Sequence, residues 1–248
     1  MEFRKKLLAL SVMLEGDWQG MCQKLSQDRE LSTLDMGRSL DALARLESCP
    51  TVTILDPEYP AVLAQTSRPP FVLYYQGDLS LLDKPLAAFA GSKEPAGWSK
   101  AFCSRLRPAL EAAGGAWVLG PEGGPALGPL SGTGGVRVWP AGLQEGCLPY
   151  GQNGLLLSEC PPGGLSTRRH QHRSSRLARE LGQALVVAEL EKSDPRYGDC
   201  QRALELGTPV FVLPDRVGSF KSSGSLELLA QGAHPLTEER VLLDFIKK

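Results

Sequence analysis

The sequence predicts an α/β fold: a mostly parallel sheet with helices on both faces, preceded by a small helical segment. Three observations predict it. From residue 86 onward, short apolar, β-prone runs recur at Leu86–Ala90, Ala116–Leu119, Val136–Trp139, Leu155–Leu157, Ala184–Ala188 and Pro209–Leu213. Helical patterns lie between several of these runs. Each run is apolar at successive positions, as in strands covered on both sides. That combination describes an extended Rossmann-like fold, in which ligands bind at the carboxyl ends of the strands.

The elements follow in order. Residues 1–50 place Leu7, Leu8, Leu10, Leu14, Leu34, Leu40, Leu43 and Leu46 at helical spacing and contain no strand-like run, so two or three helices ending at Pro50 are expected. Lys5 and Lys6 before Leu7–Leu14 loosely resemble a signal peptide, but Glu15, Gly16, Asp17 and Trp18 follow without a small-residue cleavage site. An extended stretch at 51–55 leads into Asp56-Pro57-Glu58-Tyr59-Pro60, a turn. Trp98, Phe102, Leu106, Leu110 and Ala113 form one helical stripe, with a kink expected at Pro108. Leu177, Ala178, Leu181 and Leu185 form a second, and Cys200, Ala203, Leu204 and Leu206 a third. Two units are expected: a helical segment over 1–50 and a Rossmann-like domain over 51–248.

Composition narrows the function. With 27 Lys+Arg against 28 Asp+Glu the net charge is −1, which excludes a globally basic nucleic-acid coat, and 42% hydrophobic residues exclude a disordered chain. No apolar run is long enough to cross a bilayer. Cysteines 22, 49, 103, 147, 160 and 200 are too scattered for a zinc knuckle or CxxC motif, and are expected as reduced, mostly buried thiols of a cytoplasmic protein. Two of the three histidines, His170 and His172, sit among arginines, so neither a metal nor a cofactor is expected.

Three constellations stand out. Ala90-Gly91-Ser92-Lys93 follows a strand and precedes a helix; it is either a plain strand-to-helix turn or an anion cradle of backbone amides, the Ser92 hydroxyl and the Lys93 ammonium. Residues 168–179 hold five arginines and two histidines with no acid before Glu180. As a helix, that stretch puts Arg169, Arg173 and Arg176 on one face, where guanidinium forks match phosphate oxygens; the competing reading is a solvated face paired with Glu180, Glu189 or Glu191. Glu189, with Asp194 and Asp199 beyond it, lacks a catalytic partner at a convincing spacing and is assigned a structural role, so no catalytic residue is expected. Lys221, among Ser219, Ser222, Ser223 and Ser225, either assists an anion site or sits in a plain polar loop. Residues 120–135, with seven glycines and three prolines, read as a crossover, a phosphate nest being the alternative.

The motifs taken together resemble the DprA/Smf family. Tyr59-Pro60, Leu63 and Pro69–Gly77 are similar to its YP…L…PP-LY-x-G entry, Ala90–Lys93 to its VGSR turn, and Leu155–Pro161 to its LLSE-P segment. Leu181–Glu189 resembles the stretch ending in VVEA, and Ala203–Gly207 with Val210–Pro214 resembles A-x-E-x-G-x-x-VFAVPG. Ser222-Ser223-Gly224, Leu228-Leu229 and Gly232-Ala233 resemble S-x-G…LI-x-x-GA, so the likeness spans 51–236. It implies an extended Rossmann-like fold that binds single-stranded DNA, forms a homodimer and helps load RecA in natural transformation. It carries the DNA-contacting basic turn onto Lys93, where the family has arginine, and its later basic residues onto Arg168 and Arg169.

The chain also departs from the pattern. F-P-x-R-N-R-I-I reads Gln171–Ala178 with only Arg176 kept of its arginines; SGLARGID has become Leu119–Pro125; SG-S-L-I-T-A has become Asp194–Cys200; and the GxN asparagine falls on Leu226. Fifteen residues follow Ala233, so the winged-helix domain of some members is not expected. The expected DNA or phosphate contacts are Gly91, Ser92, Lys93, Arg168, Arg169, Arg173, Arg176 and Lys221. The alternatives are an enzyme similar to the lysine-decarboxylase-like phosphoribohydrolases, whose PGGxGT…E motif is echoed only by Gly123-Gly124 and Glu189, or a non-catalytic paralogue that binds a partner protein.

Overall fold

A computed structural model of the chain describes residues 3–29, 31–32, 41, 43–44, 46, 49–92, 94–121, 134–144 and 153–247. Two helices open it: α1 (Phe3–Met13) and α2 (Trp18–Gln27). Leu7, Leu8 and Leu10 of α1 are buried with Met21 of α2 against Tyr74 and Leu156 of the sheet. Each fully buried leucine contributes about 2 kcal/mol. Asp17 starts α2 by accepting from the Gly20 amide at 3.2 Å. The helix expected around Leu34–Leu46 falls mostly outside the described residues.

The strands are β1 (Thr51–Thr53), β2 (Val72–Gly77), β3 (Leu86–Gly91), β4 (Ala116–Leu119), β5 (Val136–Val138), β6 (Leu155–Ser158), β7 (Ala184–Ala188), β8 (Val210–Val212) and β9 (His234–Pro235). They form one sheet in the order β1-β2-β6-β5-β4-β3-β7-β8-β9. All pairings are parallel except β1 with β2 and β2 with β6. The chain steps outward from β3 through β4 and β5 to β6, then returns to β7 on the other side of β3. The switch point therefore lies between the carboxyl ends of β3 and β7.

The remaining helices are α3 (Ala61–Ala64), α4 (Gly97–Ala112), α5 (Arg168–Leu181), α6 (Pro195–Glu205), α7 (Ser223–Ala230) and α8 (Glu239–Ile246). They cover both faces, and β7 shows how. Its Leu185 and Val187 pack with Leu177, Leu181 and Cys200 of α5 and α6, while Val186 and Ala188 pack with Phe102, Leu106 and Leu242 of α4 and α8. All six apolar runs read from the sequence are strands in this sheet.

Some expectations change. Pro108 lies inside α4, which continues on both sides of it, with Leu106 and Leu110 fully buried against the sheet. Leu185 belongs to β7 rather than to the second helical stripe, which ends with α5 at Leu181. Leu206 lies beyond the end of α6 and is exposed, and Trp98 is exposed as well. Strand β2 was not expected, its apolar run directly following two prolines, and the two exposed residues of β9 carry no apolar signal. Among the described residues no helix is long and apolar enough to cross a membrane. Cys49, Cys103, Cys160 and Cys200 are free and buried, and burial pushes Cys200 up to about 12. Cys147 lies outside the described residues.

Candidate nucleic-acid interface

The arginine-rich stretch is a helix for local reasons. Thr167 accepts from the His170 amide at 3.2 Å and caps α5, and Leu177, Ala178 and Leu181 are buried on the sheet. His170 belongs to the packing, with Nδ1 2.8 Å from the Leu165 carbonyl. Ser174 donates to the Trp139 carbonyl at 3.1 Å, fastening the middle of the helix. What is left on the outer side is the cationic face.

That face meets the start of α2. Arg168, Arg169, His172, Arg173 and Arg176 line an open cavity of about 460 Å³, closed on its other sides by Asp17, Trp18, Gln19 and Arg68. Four of the residues expected from sequence thus share one site, but they are not equivalent within it. Arg168 is exposed, and its side chain makes no hydrogen bond or ion pair among the described residues. Arg169 pairs with Asp17. Arg173 donates to the Gly16 carbonyl at 2.6 Å and the Glu15 carbonyl at 3.1 Å, so no carboxylate neutralises it directly. Arg176 turns inward, donating to Glu159 at 2.8 Å, to Glu180, and to the Arg68 carbonyl at 3.1 Å.

Burial raises the carboxyls of Glu159 and Glu180, and the Arg176 guanidinium opposes that rise. Arg176 is therefore a clamp between two carboxylates, whereas Arg168 faces solvent. Five arginines against Asp17 on the rim, and Glu159 and Glu180 behind it, leave a cationic excess in the cavity. Gly16 permits the close approach beneath it. A Cβ there would stand 2.0 Å from the Glu159 carbonyl oxygen, and its φ is +66°.

The other expected contacts lie elsewhere, at the switch point. Gly91 ends β3 so close to β7 that a Cβ would fall 2.2 Å from the Ala188 carbonyl oxygen. The Ser92 amide donates to that same oxygen at 3.1 Å, and its hydroxyl accepts from the Glu94 amide at 3.0 Å. Lys221 reaches to 3.5 Å from the Glu94 carbonyl. Gly91, Ser92 and Lys221 thus gather around one turn, and none of them lines the arginine cavity. Lys93 and residues 122–133 lie outside the described residues.

Glu189 occupies the anion position of this turn itself. Buried, with φ +49°, it accepts from the Ala96 amide at 2.6 Å at the start of α4. Arg196 is paired with Asp194 and donates to the Gly91 carbonyl, and Arg179 pairs with Asp199 at 3.2 Å. The second wall of the arginine cavity has no signature in the sequence. Asp17, Trp18 and Arg68 carry no local motif, and only the chain's return brings them to α5.

The sequence matches the DNA recombination-mediator protein A family over residues 50–124 and 121–247. The chain belongs to that family. DNA processing protein DprA of Streptococcus pneumoniae is 28% identical over 209 residues, spanning 79% of this chain and 74% of the relative. Its Bacillus subtilis counterpart is 25% identical over 209 residues, spanning 77% and 69%. The solved structure of the pneumococcal protein superposes with a TM-score of 0.74 at 22% identity, over 98% of this chain and 95% of that one. DNA processing protein A from Helicobacter pylori, described for its single-stranded DNA binding mode, superposes at 0.64 and 22% identity, over 80% and 95%. These likenesses show that this member of the recombination-mediator family has the family's Rossmann-type fold, with the N-terminal helices included in the pneumococcal match.

Proposed function

We propose that this recombination-mediator family member binds single-stranded DNA, with phosphates of the strand held along the cationic face of α5. The observation that carries the reading is the open cavity in which five arginines outnumber the facing carboxylates. The binding of single-stranded DNA by the Helicobacter pylori relative supports it. Arg168 contacts phosphate directly. Arg169 does so by exchanging Asp17 for a phosphate, and Arg173 adds charge from the cavity wall. Arg176 positions the others. The Gly91–Ser92 turn is taken up by the Ala188 carbonyl and by Glu189, so of the second group of expected contacts Lys93 and Lys221 are the residues that add positive charge for phosphates further along the strand. In this reading α1 and α2 belong to a helical unit laid on the domain that begins at β1, and the DNA path follows their junction. Homodimerisation and RecA loading are the roles the family resemblance adds.

In this reading the role is binding rather than catalysis, and Glu189 serves the fold by accepting from the Ala96 amide at the start of α4. The test is fluorescence anisotropy with labelled poly-dT. Affinity falls steeply between about 50 and 200 mM salt as counterion release is lost. Arg168→Glu weakens binding and lowers the salt slope while leaving the Tm unchanged, since Arg168 supports nothing else. An affinity that ignores salt, or no binding, overturns the reading.

A further inference from the structure

We infer that Trp18 and Arg68 form a base-stacking wall in the same cavity, so that nucleobases as well as phosphates are held. The inference rests on the single-stranded DNA reading and adds to it residues from outside the arginine helix.

The wall is rigid. The Trp18 indole N–H donates to the Pro69 carbonyl at 3.0 Å, and the ring stacks on Phe71 with centroids 6.2 Å apart and planes 15° apart. The Arg68 guanidinium stands 6.0 Å from the Trp18 ring centroid. The chain beneath is pinned at three successive carbonyls: Arg68 accepts from Arg176, Pro69 from Trp18, and Pro70 from the Tyr59 hydroxyl at 2.7 Å. An aromatic ring fixed in this way loses little entropy on binding.

Chemistry then selects the ligand. A planar guanidinium over an indole presents a flat, cationic surface beside the phosphate-binding arginines, and a planar guanidinium stacks on aromatic faces. A nucleotide whose phosphate rests on Arg168 or Arg169 brings its base to the same cavity that Trp18 and Arg68 line. Unpaired bases expose their faces and duplex bases do not, so the surface suits a single strand. Every base has such a face, so the wall tolerates any sequence.

The experiment compares poly-dT with an abasic oligonucleotide of the same length on the full chain, by anisotropy over a range of salt. The unaltered protein binds poly-dT roughly tenfold more tightly than the abasic strand. Trp18→Leu removes that preference without changing the salt slope, and Trp18→Phe restores most of it. Equal affinity of the unaltered protein for the two strands overturns the stacking wall and leaves phosphate binding standing. A preference that survives Trp18→Leu overturns it too. Failure of both strands to bind overturns the DNA reading itself. If Trp18→Leu loosens the N-terminal helices, the two-strand comparison on the unaltered chain and on Trp18→Phe still decides.

Discussion

Asp17 divides its carboxylate between the Gly20 amide and Arg169: one oxygen caps α2, and the other pairs with a guanidinium 152 residues along the chain. Asparagine caps a helix about as well as aspartate, so Asp17→Asn keeps the cap and removes the charge that competes with phosphate for Arg169. The exposed pair is worth less than about 1 kcal/mol. Asp17→Asn is therefore expected to raise poly-dT affinity a few-fold and to move the Tm by less than about 3 °C. Anisotropy and a thermal melt measure both. An unchanged affinity shows that Asp17 does not compete with the strand.

Arg176 carries a different weight. It is the cation between Glu159, which is almost fully buried, and Glu180, and it also holds the Arg68 carbonyl. Arg176→Met keeps the apolar stem and strands both carboxylates, at an expected cost of about 3–5 kcal/mol. Urea unfolding should show a lower midpoint with little change in slope. A cost under about 1 kcal/mol means that the pair contributes little.

The same two carboxylates give stability a pH signature. Burial raises both above their ordinary value of 4.5, so the folded chain keeps protons that the unfolded chain has lost. Their contribution therefore favours folding at low pH and is lost as pH rises from about 4.5 through the folded values. Glu159→Gln cannot titrate. Its unfolding free energy minus that of the unaltered chain is expected to grow as pH rises above about 4.5. Urea titrations across that range check this, and a flat difference contradicts it.

Much of the fold was legible because its signals are local. Leu185, Val186 and Val187 announce a strand covered on both faces, and Leu177, Ala178 and Leu181 place α5 on the sheet with Arg168 and Arg169 outward. Gly91 could be read as a tight turn, but not the Ala188 carbonyl that leaves no room for a Cβ. Strand β9 was invisible because two exposed residues make no pattern.

The sequence by itself determined the alternating architecture, the family and the presence of a dense cationic face, since periodicity, motif order and the sign of a charge are all written residue by residue. Only the tertiary structure decided what each guanidinium does: Arg168 open to solvent, Arg169 on Asp17, Arg173 on the Gly16 carbonyl, Arg176 between Glu159 and Glu180. It also decided that Trp18 and Arg68 share their cavity. The physical reason is range. Coulombic and hydrogen-bond partners are chosen by where the chain crosses itself, and no local spacing records that.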